Sequence, residues 1–218
     1  MTTEPVLSEM TTEDLQRACA DLRKEHRTKG GLTYSERRAC LKSLLKSVRA
    51  RKEALAQAVC ADFGHRSRDD TFSAEIFPVI NGIKHALKEL RGWMAPEARE
   101  VAWPWLPASC KLVHQPLGVV GVISPWNYPI GSSLEPVIAA LAAGNRVLLK
   151  PSEEVPHVAA LLKEILEDDL GTDIARVTPG GAEVGAAFAS LPLDHLLFTG
   201  STAVGRRVMA AASALLTP

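Results

Sequence analysis

Four side chains, each just beyond an apolar run, have the types and settings for chemistry. Asn127 lies in Ile123-Ser124-Pro125-Trp126-Asn127-Tyr128-Pro129, between a strand-like run and a helical one. At the carboxyl end of a parallel strand such a tract borders a ligand crevice, where an amide can donate a hydrogen bond to developing negative charge. A rigid, proline-flanked turn with Trp126 and Tyr128 as packing residues explains the same pattern. Lys150-Pro151-Ser152-Glu153 brings an ammonium and a carboxylate to where both can approach one ribose, or else decorates a surface crossover. Ser201, within Phe198-Thr199-Gly200-Ser201-Thr202-Ala203-Val204-Gly205, has the setting of a helix cap whose following amides could meet a pyrophosphate. Capping alone is the plainer alternative. Pro179-Gly180-Gly181 reads as a tight crossover turn that tolerates close backbone approach. No GxGxxG fingerprint accompanies these residues.

Positioning such groups requires alternating strands and helices. Gly118 to Ile123 reads as a buried strand, and Arg146 to Lys150, Ile174 to Thr178 and His195 to Thr199 are further strand candidates. Leu134 to Ala143, with Pro136 inside it, His157 to Leu166, ending at Leu170-Gly171, and Val184 to Ala189 supply the intervening helices. Another runs from Ser201 through Val204, Val208, Ala211 and Leu215. The alternation predicts a mostly parallel α/β sheet. Upstream, Thr33 and Glu36 form a capping box, and Leu41, Leu44, Leu45, Val48, Leu55 and Val59 follow as one amphipathic helix. A second helical region covers Ala74 to Trp93, with its start blurred by Pro78. The stretch from Pro96 to Pro107, with three prolines and two tryptophans, reads as a connection. Lys111 to His114 then begins an extended strand. The division expected is 1–109, helices and connecting segment, and 110–218, the alternating strand-and-helix unit.

Composition excludes several classes. The chain of 218 residues balances 25 basic against 25 acidic side chains, so no net field recruits nucleic acid or an anionic membrane. Arg37, Arg38, Lys42, Lys46, Arg49, Arg51 and Lys52 read as the solvated face of a packed helix. No apolar run is long enough to span a bilayer. The polar and acidic start argues against a secretory signal, which points to cytoplasmic residence. Cys19, Cys40, Cys60 and Cys110 form no CxxC pair, and no metal site is expected.

Beyond these physical readings, the sequence resembles the aldehyde dehydrogenase superfamily, in particular its coniferyl-aldehyde-dehydrogenase-like members, over nearly its whole length. The resemblance rests on Ala61-Asp62-Phe63-Gly64-His65-Arg66-Ser67, Ala74-Glu75-Ile76-Phe77-Pro78, Pro116-Leu117-Gly118-Val119-Val120-Gly121 and the Ser124 to Pro129 tract, in the family's order. It implies an incomplete, nonstandard Rossmann-like domain preceded by helices. It also implies that Asn127 points its amide into an oxyanion site and that Ile123, Pro125 and Trp126 border the nicotinamide. Lys150 and Glu153 would hold the adenosine ribose, Gly180 would lie beside the adenine pocket, and Gly200, Ser201 and Val204 would belong to the dinucleotide site. Because a ribose phosphate would meet repulsion from Glu153, NAD is favoured, with NADP as the alternative.

The same resemblance implies a complete mechanism of cysteine attack on an aldehyde, hydride transfer to the nicotinamide and hydrolytic release of the acid. The family's nucleophilic Cys and deacylating Glu follow the Phe198 to Gly205 region. This chain is therefore expected to be the amino-terminal, acceptor-binding portion, inactive alone, with Cys110 no match for the nucleophile. Coniferyl or another aromatic aldehyde is the expected substrate of the complete enzyme, and a homodimer its expected assembly. A noncatalytic nucleotide-binding module and a structural interaction domain are the competing readings.

Overall fold

The computed structural model describes residues 7–218, and part of the acidic start on which the secretory-signal expectation rested falls outside them. The described chain begins with α1 (Thr12–Lys29), α2 (Tyr34–Ala50), α3 (Lys52–Phe63), α4 (Arg68–Thr71) and α5 (Phe77–Trp93). Two short strands follow, β1 (Glu97–Arg99) and β2 (Cys110–Leu112). Next come β3 (Val119–Ile123), α6 (Pro129–Ala142), β4 (Arg146–Lys150), α7 (Pro156–Lys163), β5 (Ala175–Val177), α8 (Ala182–Ala189), β6 (His195–Phe198) and α9 (Thr202–Ser213).

The main sheet is parallel, in the order β5-β4-β3-β6. Its two central strands, β3 and β4, are buried at every position, which explains the apolar runs without alternation at Val119 to Ile123 and Val147 to Leu149. One face packs Val120, Val122, Val147 and Leu149 against α2, α5, α6 and α7 through Leu41, Leu44, Ile83, Leu134 and Leu162. The other packs Val119, Ile123 and Leu148 against α1 and α8 through Leu15, Leu22, Val184 and Phe188. Residues from both sides of the expected boundary at 109/110 thus share the same two cores.

Several local expectations need correction. The single helix through Val59 breaks at Arg51, whose φ of −102° and ψ of 10° leave the helical region. Val48 and Leu55 stand two helical turns apart, so the apolar period runs through the break unchanged. Arg51 holds the corner by donating to Ser47 Oγ and Asp169 Oδ2, each at 2.7 Å. The helix expected from Ala74 begins earlier, at Arg68, and passes through one π turn (Phe72–Ile76) with Pro78 in the first turn of α5. A strand stands inside the supposed connection: β1 pairs antiparallel with β2, which keeps both out of the parallel sheet. Pro136 sits inside α6, which starts at Pro129 instead of Leu134. Helix α1 was not foreseen. It is capped by Thr11, whose Oγ1 accepts from the Asp14 N–H, and its buried stripe is only Leu15, Ala18, Cys19 and Leu22.

Candidate functional site

Strand order places the candidate site. From β3 the chain steps outward through β4 to β5, then returns to lay β6 on the other side of β3. The reversal opens a crevice beyond the carboxyl ends of β3 and β6, the position where open parallel sheets take their ligands. Register sets the three margins level, because Ile123 is paired with both Lys150 and Phe198.

The resulting crevice encloses about 540 Å³ and is lined by Ile123, Pro125, Trp126, Lys150, Glu153, Gly200, Ser201 and Val204. Eight of the ten residues singled out from sequence therefore line one cavity. Gly180 lines an adjoining hollow of about 340 Å³ together with Glu153, Gly181, Leu7 and Glu9. Asn127 lies outside both linings, exposed on the loop after β3, and among the described residues its side-chain amide has no hydrogen-bond partner. Its backbone carbonyl accepts from Arg66 Nη1 at 2.5 Å.

Local chemistry fixes each margin. Lys150 is 4% exposed, and its Nζ donates to the Pro151 carbonyl at 3.2 Å and to Glu153 Oε2 at 3.3 Å. The Glu153 carboxylate stays about half exposed, facing solvent at the mouth. Gly185 of α8 lies against the lysine stem, since a Cβ there would stand 3.4 Å from Lys150 Cε. At Gly180, a φ of 150° and a hypothetical Cβ 2.5 Å from Val184 account for the glycine. At Gly200 a Cβ would meet the Phe198 ring at 2.5 Å. Ser201 caps α9 as expected, accepting from the Val204 N–H at 3.3 Å, and the start of that helix, Ser201 and Val204, lies in the crevice lining.

Three residues with structural roles at this site carried no assignment from sequence. Neither α6 nor α7 has a side-chain cap at its own N-cap residue, Tyr128 or Val155. Glu75 caps α6 instead, its Oε2 accepting from the Ile130 N–H at 2.7 Å and the Gly131 N–H at 3.1 Å. Asp62 does the same for α7, accepting from the His157 N–H at 3.1 Å and the Val158 N–H at 3.0 Å, with His157 Nδ1 at 2.6 Å. Arg66 stands 3.2 Å from Glu75 and places its guanidinium over the rings of Tyr128 and Phe63, 4.8 and 5.1 Å from their centroids. All three lie in the tracts that carried the family resemblance. The backbone groups they hold are 55 to 96 residues away, so no local pattern announces them. Burial pushes the Glu75 carboxyl up, against the opposing pull of the Gly131 and Ile130 amides and of Arg66.

No cysteine lines the crevice. Cys19 is buried against the sheet, where loss of solvent raises its thiol pKa to about 11, while Cys110 is exposed on β2. Among the described residues, no cluster of His, Cys, Asp or Glu could hold a metal ion, and no helix is long and apolar enough to cross a membrane.

A parallel α/β sheet whose switch point gathers a lysine, a carboxylate and a capped helix N-terminus defines a Rossmann-like unit. The aldehyde dehydrogenase family model matches residues 5–218, and the chain belongs to that family. It is 49% identical over 178 residues to a probable coniferyl aldehyde dehydrogenase of Pseudomonas aeruginosa, covering 82% of this chain and 37% of that protein. To the coniferyl aldehyde dehydrogenase of a Pseudomonas species it is 40% identical over 206 residues, 94% of this chain and 42% of that one. The substrate-bound structure of Staphylococcus aureus AldH superposes with a TM-score of 0.90 at 31% identity, over 94% of this chain and 44% of that one. The chain thus spans about two fifths of the length of these relatives.

Proposed function

We propose that this chain supplies the dinucleotide-binding elements and an oxyanion-stabilising amide to an NAD(P)-dependent enzyme that oxidises an aldehyde to a carboxylic acid. Coniferyl aldehyde or a related aromatic aldehyde is the favoured substrate, given the two relatives that carry that name. The observation that carries the reading is the convergence of the ends of β3, β4 and β6 on one crevice of about 540 Å³. Its residues fit a nicotinamide dinucleotide. Lys150, buried and held by the Pro151 carbonyl and Glu153, keeps one ammonium donor to offer a ribose hydroxyl. Glu153 accepts from the same ribose and repels a 2′-phosphate, which favours NAD over NADP. The amides that open α9 behind Ser201 would hold the pyrophosphate, with the Ser201 hydroxyl as a further donor. Gly180 leaves space beside the adenine.

Ile123, Pro125 and Trp126 would border the nicotinamide, which would supply a hydride acceptor when bound. Asn127, held by its backbone carbonyl but with a side-chain amide that has no hydrogen-bond partner among the described residues, turns that amide toward the carbonyl oxygen as negative charge develops there. None of the four cysteines is the nucleophile, because none reaches the crevice. The 218 residues alone therefore bind without turning over aldehyde. The same reading takes the complete enzyme to be a cytoplasmic homodimer, for which exposed Trp103, Trp105 and Leu106 offer apolar surface.

Calorimetry on a chain extended to the length of its relatives tests the binding half. Lys150→Ala and Glu153→Ala should each weaken NAD about tenfold, and unchanged affinity in both folded variants would remove the ribose assignment. Asn127→Ala should lower kcat by roughly 100-fold with NAD affinity retained. Wild-type turnover in that variant would remove the oxyanion role. Aldehyde-dependent NADH formation by the 218-residue chain itself would overturn the division between binding and catalysis.

A further inference from the structure

The loop from Ser124 to Tyr128 reaches the crevice without a cap of its own, and what holds it comes from the helical segment far upstream. Helix α6 begins at Pro129, and Tyr128 at its cap position offers no side-chain hydrogen bond. The two amides that open the helix are instead taken by one oxygen of Glu75, at 2.7 and 3.1 Å. Glu75 has no exposed side-chain area, and Arg66, with 13%, meets its second oxygen at 3.2 Å. The other arm of the same guanidinium donates to the Asn127 carbonyl at 2.5 Å. Its flat face covers Tyr128, on the far side of Asn127, and Phe63, whose ring lies 5.9 Å from that of Trp126. One guanidinium therefore touches the residue proposed as oxyanion donor and its carboxyl-side neighbour, and through Phe63 it bears on the amino-side neighbour.

We propose that Glu75 and Arg66 are positioning residues that fix the loop after β3, and with it the Asn127 amide, at the crevice. The proposal rests on the aldehyde-oxidising reading above. A fork of two arms and a stacked face removes the freedom of a short exposed loop in a way a single cap does not. Catalytic donors lose most of their value when displaced by as little as an ångström. The buried carboxylate Asp62 provides an internal comparison, because it caps α7 in the same fashion but holds the 151–155 loop beside Glu153.

The test uses the enzyme extended to the length of its relatives, with Glu75→Gln, Arg66→Met and Asp62→Asn. Glu75→Gln keeps an acceptor for the two amides and gives up the ion pair; Arg66→Met keeps part of the packing on the rings and loses both arms. Both should lower kcat at least about tenfold, leave the NAD dissociation constant within about twofold, and speed amide exchange in the peptide covering 124–134. Asp62→Asn should show the reverse split, weakening NAD more than it lowers kcat. Wild-type kcat in Arg66→Met, or equal losses of kcat and NAD affinity in all three variants, would overturn the proposal. Should Glu75→Gln fail to fold, Arg66→Met and the exchange measurement decide alone. Retained turnover in Asn127→Ala with turnover lost in Arg66→Met would remove the oxyanion reading and leave the loop positioning standing. The opposite pair of results would remove the positioning role alone.

Discussion

The loop after β3 and the turn after β6 face each other across the crevice but are held by different means. On the β3 side, the strand is buried throughout, α6 buries ten of its residues, and the entry to that helix is fixed by Glu75, 55 residues earlier. On the β6 side, every strand residue is half-buried, α9 buries only Ala212, and the turn is fixed by Ser201 of the turn itself. One margin is therefore part of the core, and the other is an edge carrying its own cap. In the reading proposed here the rigid margin presents the amide that must be accurately placed. The edge presents helix amides and a hydroxyl to a phosphate, a diffuse charge that tolerates some displacement.

If this contrast is sound, removal of the remote cap should produce the largest loss. Glu75→Ala leaves the Arg66 charge without its partner and two helix-opening amides without an acceptor, at a cost of about 3 kcal/mol. Denaturant unfolding measures it. A loss of under about 1 kcal/mol would mean that water enters and satisfies the site, and the margin would then be less rigid than its burial suggests.

The same contrast explains what was legible in the sequence. Caps made within a few residues were readable: Thr33 with Glu36 and Ser201 ahead of Val204 both behave as their spacing predicts. Strand β4 was readable too, because a strand buried on both faces shows as an apolar run without alternation, here Val147 to Leu149 between Arg146 and Lys150. Glu75 and Asp62 sit among apolar helix residues and look like ordinary charged positions, since their partners depend on how the chain closes. Arg66 shows no role in its own motif for the same reason, since the carbonyl it holds is 61 residues away. Helix α1 escaped notice because its apolar stripe is four residues wide, two of them small, within a helix otherwise rich in charge. The site's convergence was only half visible: the tracts could be named one by one, whereas the return of β6 to the side of β3 is a property of the sheet order.

A smaller effect is expected at the edge from Gly200→Ala. Its new methyl group would start 2.5 Å from the Phe198 ring, which has to tilt toward the half-buried side. Overpacking of this size costs about 1–2 kcal/mol, at the low end if the edge yields as the comparison requires. Thermal unfolding of the variant tests this, and a loss as large as that of Glu75→Ala would show the β6 margin to be as rigid as the other.

Acid–base behaviour gives a further discrimination. Burial raises the Glu75 pKa, so in the interval just above the ordinary carboxylate value the folded protein holds more protons than the unfolded chain. The contribution of Glu75 is then full below that interval and declines as pH rises through the raised value. Glu36 and Asp169 behave oppositely. Hydrogen bonds, from Thr33 in the first case and from Ser47 in the second, lower their pKa values, and their contributions are lost as pH falls through those lowered values. Stability profiles between about pH 4 and pH 7 should therefore show Glu75→Gln gaining on the wild type as pH rises. Parallel profiles would mean that Arg66 and the two amides cancel the cost of burial.

The smallest effect belongs to Ser201, and it separates a cap from a ligand contact. Its hydroxyl is exposed and accepts one amide at 3.3 Å, so water replaces it readily when it is lost. Ser201→Ala should cost at most about 1 kcal/mol of stability, and Ser201→Gly only a few tenths, because glycine lets water solvate the open amide. Both variants lose the hydroxyl equally. If that hydroxyl also donates to a phosphate oxygen, NAD affinity in the extended chain falls by the same factor in both, although their stabilities differ. Affinity that instead follows stability, with Ser201→Gly binding almost as the wild type does, would reduce Ser201 to a helix cap. The pyrophosphate would then be left to the helix amides alone, and the edge margin would contribute geometry without a side chain of its own.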